Sequence, residues 1–378
     1  MTTPPTGLED AVVGRQDISF LDGEQGRLLY RGYNIDDLAA HAHYEEVVYL
    51  LWYGQLPTPA QLDDFRAELA AAGQLPAPLA EFVRSLPADA HPMAVLRTGV
   101  SLLGLLDRDK PGFERAAVLP KARAILATIP ALMACFWRHR QGLPPIDPRP
   151  ELGHAAGFLW QLTGRQPAAE AVAALNLYFV LLADLELNAS AFACRVTAAT
   201  WADVYAAVVS GVSALSGPAH GGAVQEIMGQ LADIGRAENV DDWLAAAMRD
   251  KRRVMGVGHR VFKVIDPRAP HLKARVQALA GQSAQRRWFE IATALEDRLA
   301  GHPFFQQRRL YPNVDYYAAP LLSMLGLEPD MFTTIFAMSR AAGWAAHIMH
   351  QYQHNRLITP RAEYTGPLDL PWLPLEER

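Results

Sequence analysis

The sequence predicts a predominantly helical protein of two lobes, and three observations carry that prediction. Ala and Leu dominate while runs of Val, Ile and Thr are scarce, a mix that favours helix. Two prolonged stretches, 176–193 and 332–349, are nearly all apolar, and a helix that is hydrophobic all round belongs inside a large protein. Between them the chain turns polar at 236–253 and 273–309, which predicts a smaller, more solvated lobe inserted between two core helices. At roughly 150 residues per domain, a chain of 378 residues also fits two domains.

The elements follow in order. Residues 18–23 and 28–30 flank a Gly-containing turn and predict a short β-hairpin. A helix over 45–53 stops at Gly54, with Pro57 beyond it. Thr58-Pro59-Ala60-Gln61 supplies an N-cap, a first-turn proline and a capping-box partner. Leu62, Phe65 and Leu69 then form a stripe that ends at Gly73. Met93, Leu96, Val100 and Leu103 repeat at helical spacing, and Phe158, Leu159 and Leu162 run up to Gly164. The stretch 124–137 contains Pro130, falls short of the roughly 18–20 residues of a membrane span, and predicts a buried helix. No period of 20–50 residues indicates a solenoid.

Charge and cysteine content narrow the function classes. With 35 Lys+Arg against 40 Asp+Glu, the chain carries no polybasic footprint for nucleic acid or anionic membrane. Two cysteines, Cys135 and Cys194, cannot build a disulfide framework or a four-cysteine metal site, which fits a reducing, cytoplasmic setting. The first residues lack the basic and apolar regions of a secretory leader, so the sequence predicts no export.

Four segments carry chemistry-bearing residues. His220 sits among small residues in Gly217-Pro-Ala-His-Gly-Gly222, ahead of a predicted helix; a helix N-terminus disfavours imidazolium, so a neutral ring is expected. The same spacing also reads as a histidine tolerated in a flexible turn. Met255-Gly-Val-Gly-His259-Arg-Val-Phe-Lys263, with Asp266-Pro-Arg268, joins two glycines to a histidine and cationic side chains and suits an anionic ligand. It is neither a Walker loop nor a dinucleotide fingerprint. Asp315, in Pro312-Asn-Val-Asp315, lies in an apolar and aromatic setting where desolvation would raise its pKa toward that of a usable base; an N-cap role is the structural alternative. Arg340 shares a helix face with Phe336, Gly343 and His347, and burying its guanidinium calls for an anion, from the protein or from a substrate. His347, His350 and His354 recur at helical spacing but lack an accompanying carboxylate or cysteine at ligand spacing, so no metal site is predicted and an interface or substrate-edge role is expected.

In this order, and together with Tyr30-Arg-Gly-Tyr33, His91-Pro-Met93 and Ser339-Arg340, these segments resemble the citrate synthase family over almost the whole chain. The resemblance implies an all-α, two-domain fold, with 1–219 and 316–378 forming a large helical domain and 220–315 a small domain that closes over the active site. It implies a homodimer or larger homo-oligomer. It also implies an acyltransferase that condenses acetyl-CoA, or another short acyl-CoA, with oxaloacetate or a related 2-oxo acid and releases CoA. By motif match, Asp315 is the methyl base, His220 the donor to the thioester carbonyl and His259 the acid at the ketone. Arg268 and Arg340 hold substrate carboxylates, and Met255, Gly256, Val257, Gly258 and Lys263 form the CoA-binding stretch. No tightly bound cofactor is implied; CoA is substrate and product.

The chain also departs from the family pattern. Leu182 and Leu185 stand where the family has histidines, the second of which holds oxaloacetate. Thr359 replaces an arginine that reaches the distal carboxylate from the neighbouring subunit. Gly-Gly-Ala-Asn-Glu is here Gly221-Gly-Ala-Val-Gln225, and Glu-Gln near the end is His350-Gln351. A charge-assisted contact is worth about 1.5–3 kcal/mol, so two losses would weaken oxaloacetate binding about a hundredfold or more. Plain citrate synthase is the default activity and 2-methylcitrate synthase a close variant; the departures predict in addition a 2-oxo acid less charged or more apolar than oxaloacetate. The alternative from another class is a silent paralogue that binds CoA or a metabolite in a regulatory role. The tail, 368–375, is apolar for a terminus and is expected to wrap a neighbouring subunit.

Overall fold

The computed structural model describes residues 11–109 and 112–378. Most of the N-terminal stretch tested for a leader, residues 1–10, lies outside the described residues. Seventeen α-helices and one small sheet make up the described chain.

The predicted hairpin is present and larger than expected. Ser19–Asp22 pairs antiparallel with Arg27–Tyr30, and a third strand, Tyr33–Asn34, adds to the other edge of Arg27–Tyr30. Asn34 then caps the next helix, its side chain accepting the Asp36 N–H. The Thr58 capping box forms as read, starting Pro59–Ala72. Tyr44–Tyr53 and His154–Thr163 end at Gly54 and Gly164.

Two expectations about long apolar stretches change. The helix expected over 124–137 spans Arg115–Arg140, running through Pro120 and Pro130. It is long and apolar enough to cross a membrane by length and composition, yet 78% of its most apolar window is buried inside the protein. Neighbouring helices, Pro59–Ala72, His154–Thr163 and Phe332–Gln353 among them, pack against it. The stretch 176–193 is two helices, Ala169–Leu182 and Ala189–Ala199, parted by an irregular segment in which Glu186 adopts φ 45°. The second stretch does form one helix, Phe332–Gln353, buried at every residue except His350 and Gln353.

The break has a physical cause. A helix end leaves its last carbonyls without intrahelical partners, and here other elements satisfy them. Ser339 Oγ donates to the Phe179 carbonyl (2.7 Å), Arg340 Nε to that of Leu182 (2.7 Å) and Gly343 N–H to that of Ala183 (3.1 Å). The Tyr30 hydroxyl lies against the carbonyls of Leu181 (3.1 Å) and Asp184 (2.9 Å) and accepts the Asp184 N–H (3.2 Å). The polar stripe 339, 340, 343 and 347 of the central helix thus reads the end of Ala169–Leu182 at nearly every residue. Apolar periodicity carries none of this information.

Gly343 is where the two backbones touch. A Cβ there would sit 2.5 Å from Asp184 Oδ1 and closer still to the Ala183 carbonyl oxygen. Both are fixed atoms in a packed core, and overpacking typically costs about 1–3 kcal/mol. Gly343→Ala is expected to lower the thermal midpoint by several degrees; an unchanged midpoint in a melting experiment would show that the 183–188 segment yields freely.

Candidate active site

The residues singled out in the sequence converge around the broken helix. His220 lies in the turn between Val204–Leu215 and Ala223–Ile234, and the turn is folded rather than loose: His220 N–H and Gly222 N–H both donate to the Gly217 carbonyl (2.9 and 3.1 Å). Its Nε2 meets Ser190 Oγ at 2.9 Å. Ser190 in turn receives Trp344 Nε1–H at 3.0 Å and lies 2.7 Å from Asn188 Oδ1, which already caps Ala189–Ala199. The ring is neutral, as expected, with its pKa pushed down to about 3. The cause is burial, followed by the positive charge of Arg340, not the helix terminus, which begins only at Ala223.

His259 is the complementary case. Its Nδ1 accepts the N–H groups of both Val261 and Phe262 at 3.1 Å, so in the neutral ring the proton resides on Nε2. Burial, with Arg268 next in effect, lowers its pKa to about 4. This histidine is therefore a fixed neutral donor.

Asp315 lies in the first turn of Val314–Met324, but it is not the cap. Asn313 takes that role, its Oδ1 accepting Asp315 N–H at 3.0 Å. The Asp315 carboxyl is thus free of a structural duty. Its Oδ1 is buried without a protein partner, and burial raises its pKa to about 6 against the opposing charges of Arg268 and Arg340. That places a carboxylate base close to neutral pH.

The two arginines differ. Arg268 is wholly buried and forms a bidentate pair with Asp266, Nε to Oδ1 at 3.0 Å and Nη2 to Oδ2 at 2.9 Å. Asp266 also accepts the Val314 N–H (3.1 Å), tying the arginine to the helix that bears Asp315. Arg340, equally buried, has no carboxylate in contact. Its Nε is spent on the Leu182 carbonyl, its guanidinium lies over the Phe336 ring (4.8 Å to the centroid), and its Nη1 has no protein partner. Burial depresses its pKa, with Asp184 opposing.

Asp184 belongs instead to His347, whose Nε2 lies 3.2 Å from Oδ1, and to Ser19 Oγ. Burial pushes this carboxyl up, yet His347, Arg340 and Ser19 together hold it below its ordinary range. Ser190, Tyr30 and Asp184 are the supporting residues to which sequence reading assigned no role, and His347, expected at an interface or substrate edge, is instead paired with Asp184 in the core. Asn188-Ala-Ser190 was a legible N-cap signal, but nothing local told that its serine would meet a histidine thirty residues on.

The stretch Met255–Gly258 crosses the site as irregular backbone. Gly256 and Gly258 adopt φ 75° and 88°, and Asn313 N–H donates to the Gly256 carbonyl (2.9 Å) while Asn313 Nδ2 donates to that of Gly258 (2.9 Å). A Cβ on Gly256 would strike Ile227 at 2.8 Å. Lys263 is exposed, its N–H bonded to the Gly23 carbonyl (2.9 Å) in the N-terminal hairpin. Among the departures, Leu182 is fully buried, Leu185 half-buried and Thr359 exposed on the extended tail. His350 and His354 lie apart from this cluster, with rings 5.0 Å from each other.

Residues 7–361 match the model of the family described as "Citrate synthase, C-terminal domain". The chain is 42% identical to "Citrate synthase 2" of Bacillus subtilis (strain 168), with all of both chains covered. It is 37% identical to "2-methylcitrate synthase" of Mycobacterium tuberculosis (strain H37Rv), covering 95% of this chain and 90% of that one. Among solved structures, the ternary complex of carboxymethyl coenzyme A and oxaloacetate with citrate synthase from Thermoplasma acidophilum superposes with a TM-score of 0.93 at 31% identity, covering 98% of each chain. The chain belongs to the citrate synthase family.

The raised pKa of Asp315 makes a stability prediction. Its folded value, about 6, exceeds the unfolded value, so the cost of its ionisation is absent below about pH 4, builds up between about pH 4 and 6 and is complete above about pH 6. Asp315→Asn is expected to be more stable than wild type at pH 7–8, by on the order of 2 kcal/mol, with the difference vanishing near pH 4. Equal denaturant midpoints at pH 7.5 would show that Asp315 is solvated.

Proposed function

We propose that this chain condenses an acyl-CoA with a 2-oxo acid, forming a carbon–carbon bond at the ketone and then hydrolysing the thioester to release CoA; acetyl-CoA and oxaloacetate are the default pair. The observation that carries this reading is a buried, unpartnered carboxylate with pKa about 6 set among two neutral histidine donors and two buried arginines.

The chemistry follows from the protonation states. The Asp315 carboxylate removes a proton from the acyl methyl group while His220 donates to the thioester oxygen, where negative charge develops. For Nδ1–H of His220 to be that donor, Nε2 must accept, so Ser190 turns its hydroxyl proton toward the ring and leaves Asn188 to its backbone donors. The enol carbon attacks the keto carbon while Nε2–H of His259 donates a hydrogen bond to the oxygen on which charge develops, and the proton that Asp315 took from the methyl group neutralises that alkoxide and restores the carboxylate. Water then cleaves the thioester. Arg340, with an Nη1 free of protein partners, and Arg268 receive the carboxylate of the 2-oxo acid. The backbone at Met255–Gly258 and Lys263 receive CoA.

The small lobe, 220–315, supplies His220, His259, Arg268 and Asp315 and closes on the rest of the protein. The contacts between this lobe and the N-terminal elements support such movement because they are few in kind and polar at the rim, as at His271–Asp36 (2.7 Å) and Arg309–Glu24 (3.6 Å). The active unit is a homodimer in the cytoplasm. The tail supports the dimer, with Leu368, Leu370, Trp372 and Leu375 each more than 70% exposed on one chain.

A second reading concerns the 2-oxo acid. Leu182, whose carbonyl holds Arg340, and Leu185 stand where the family has histidines, and Asp266 already engages Arg268 through two hydrogen bonds. The seat favours a 2-oxo acid with one carboxylate and an apolar chain over a dicarboxylate.

Free-thiol release from acetyl-CoA is expected with a 2-oxo acid, with kcat/KM rising as pH passes through about 6. His259→Ala and Asp315→Asn should each lower kcat by about 10²–10⁴-fold. Saturation by oxaloacetate in the micromolar range would overturn the monocarboxylate reading. CoA binding without thiol release across a panel of 2-oxo acids would leave a silent, metabolite-binding protein. Truncation after residue 356 is expected to weaken the dimer; an unchanged sedimentation profile would refute the tail's role.

A further inference from the structure

Five tyrosines are buried to within about one per cent of full burial: Tyr30, Tyr44, Tyr178, Tyr316 and Tyr317. Four of their hydroxyls have partners. Tyr30 reaches the carbonyls of Leu181 and Asp184, Tyr44 that of Ser339 (2.7 Å), Tyr316 that of Ala292 (2.7 Å), and Tyr317 the Glu296 carboxylate. Among the described residues, the Tyr178 hydroxyl has none. A buried hydroxyl without a partner is disfavoured, so its persistence points to a ligand that completes it.

The placement identifies that ligand. Tyr178 lies one turn before Leu182, whose carbonyl holds Arg340, on a helix that packs against both Ala269–Ala280 and Val314–Met324, the helices that begin beside Arg268 and Asp315. The charges acting on its hydroxyl are those of Asp315, Arg340 and Arg268. Burial keeps the phenol protonated, so it is a donor. Arg340 Nη1 is a second buried donor without an acceptor, and neither donor is bonded to the two buried acceptors left unmatched nearby, Asp315 Oδ1 and Asp184 Oδ1. Two unmatched donors beside a carboxylate that must stay free for proton abstraction suit an anionic oxygen pair.

We propose that Tyr178 is a substrate-binding residue whose hydroxyl, together with Arg340 Nη1, seats the carboxylate of the 2-oxo acid. This rests on the condensation reading for the identity of the substrate. Tyr178 supplies a neutral donor in a site whose two family histidine positions are Leu182 and Leu185, so it orients the carboxylate without adding a second positive charge.

The test compares wild type, Tyr178→Phe and Tyr316→Phe in three measurements: calorimetric binding of oxaloacetate, pyruvate, 2-oxobutyrate and 2-oxoglutarate, thiol release from acetyl-CoA, and thermal unfolding. Tyr178→Phe is expected to weaken the preferred 2-oxo acid about tenfold or more in Kd and KM, leave the KM for acetyl-CoA within about twofold, and melt at or above the wild-type midpoint, because it deletes an unsatisfied group. Tyr316→Phe removes a satisfied hydroxyl and is expected to melt lower with unchanged affinity for the 2-oxo acid. Equal 2-oxo acid affinity in wild type and Tyr178→Phe would overturn the assignment and leave the condensation reading standing. Binding weakened by Tyr178→Phe without thiol release by wild type would support the assignment and refute condensation. No binding of any of the four acids by wild type would overturn the assignment.

Discussion

The carbonyl end of the helix Ala169–Leu182 is the constraint around which the rest is arranged. Its last carbonyls cannot be satisfied within the helix, and the central helix Phe332–Gln353 meets them with Ser339, Arg340 and the Gly343 backbone while Tyr30 arrives from the N-terminal sheet. One set of hydrogen bonds thereby ties three distant segments together. It also carries Arg340 into the core and forces the chain to turn at Asp184, so that the next helix starts at Ala189 with Ser190 beneath His220.

Electrostatic pairing then separates structural charges from chemical ones. Asp184 is matched by His347 and Ser19, and Asp266 by Arg268. Each pairing offsets part of the cost of burial, fully hydrogen-bonded for Asp266–Arg268 and with Asp184 Oδ1 and His347 Nδ1 left over in the other. Asp315 and Arg340 lack such a match, and the two histidines between them are kept neutral by desolvation and nearby guanidinium groups. A base near neutrality, neutral donors and an under-satisfied cation are what an enolisation beside an anionic substrate requires. Burial generates all of these properties from ordinary side chains.

Much of the architecture was legible from local rules. The Thr58 capping box, the stops at Gly54 and Gly164, and the nearly all apolar run beginning at Phe332 are short-range signals, and each element formed where its signal lay. The desolvated setting of Asp315 was visible in its apolar and aromatic neighbours. The third strand Tyr33–Asn34 is too short to show alternation. The break at 183–188 was hidden because hydropathy records burial and not which carbonyl is capped by which side chain.

The sequence by itself determined the helical class, the helix ends marked by a capping box or a terminal glycine, and the identity of the ionisable residues available for chemistry, because capping, periodicity and side-chain type act within a few residues along the chain. Only the tertiary structure decided which of those residues are paired and which are left to react. Whether Arg340 finds a carboxylate or a carbonyl, and whether the Tyr178 hydroxyl has a partner, depend on groups tens to hundreds of residues away. Protonation and hydrogen-bond satisfaction are set by that spatial neighbourhood, since desolvation and Coulomb forces act through space and not along the chain.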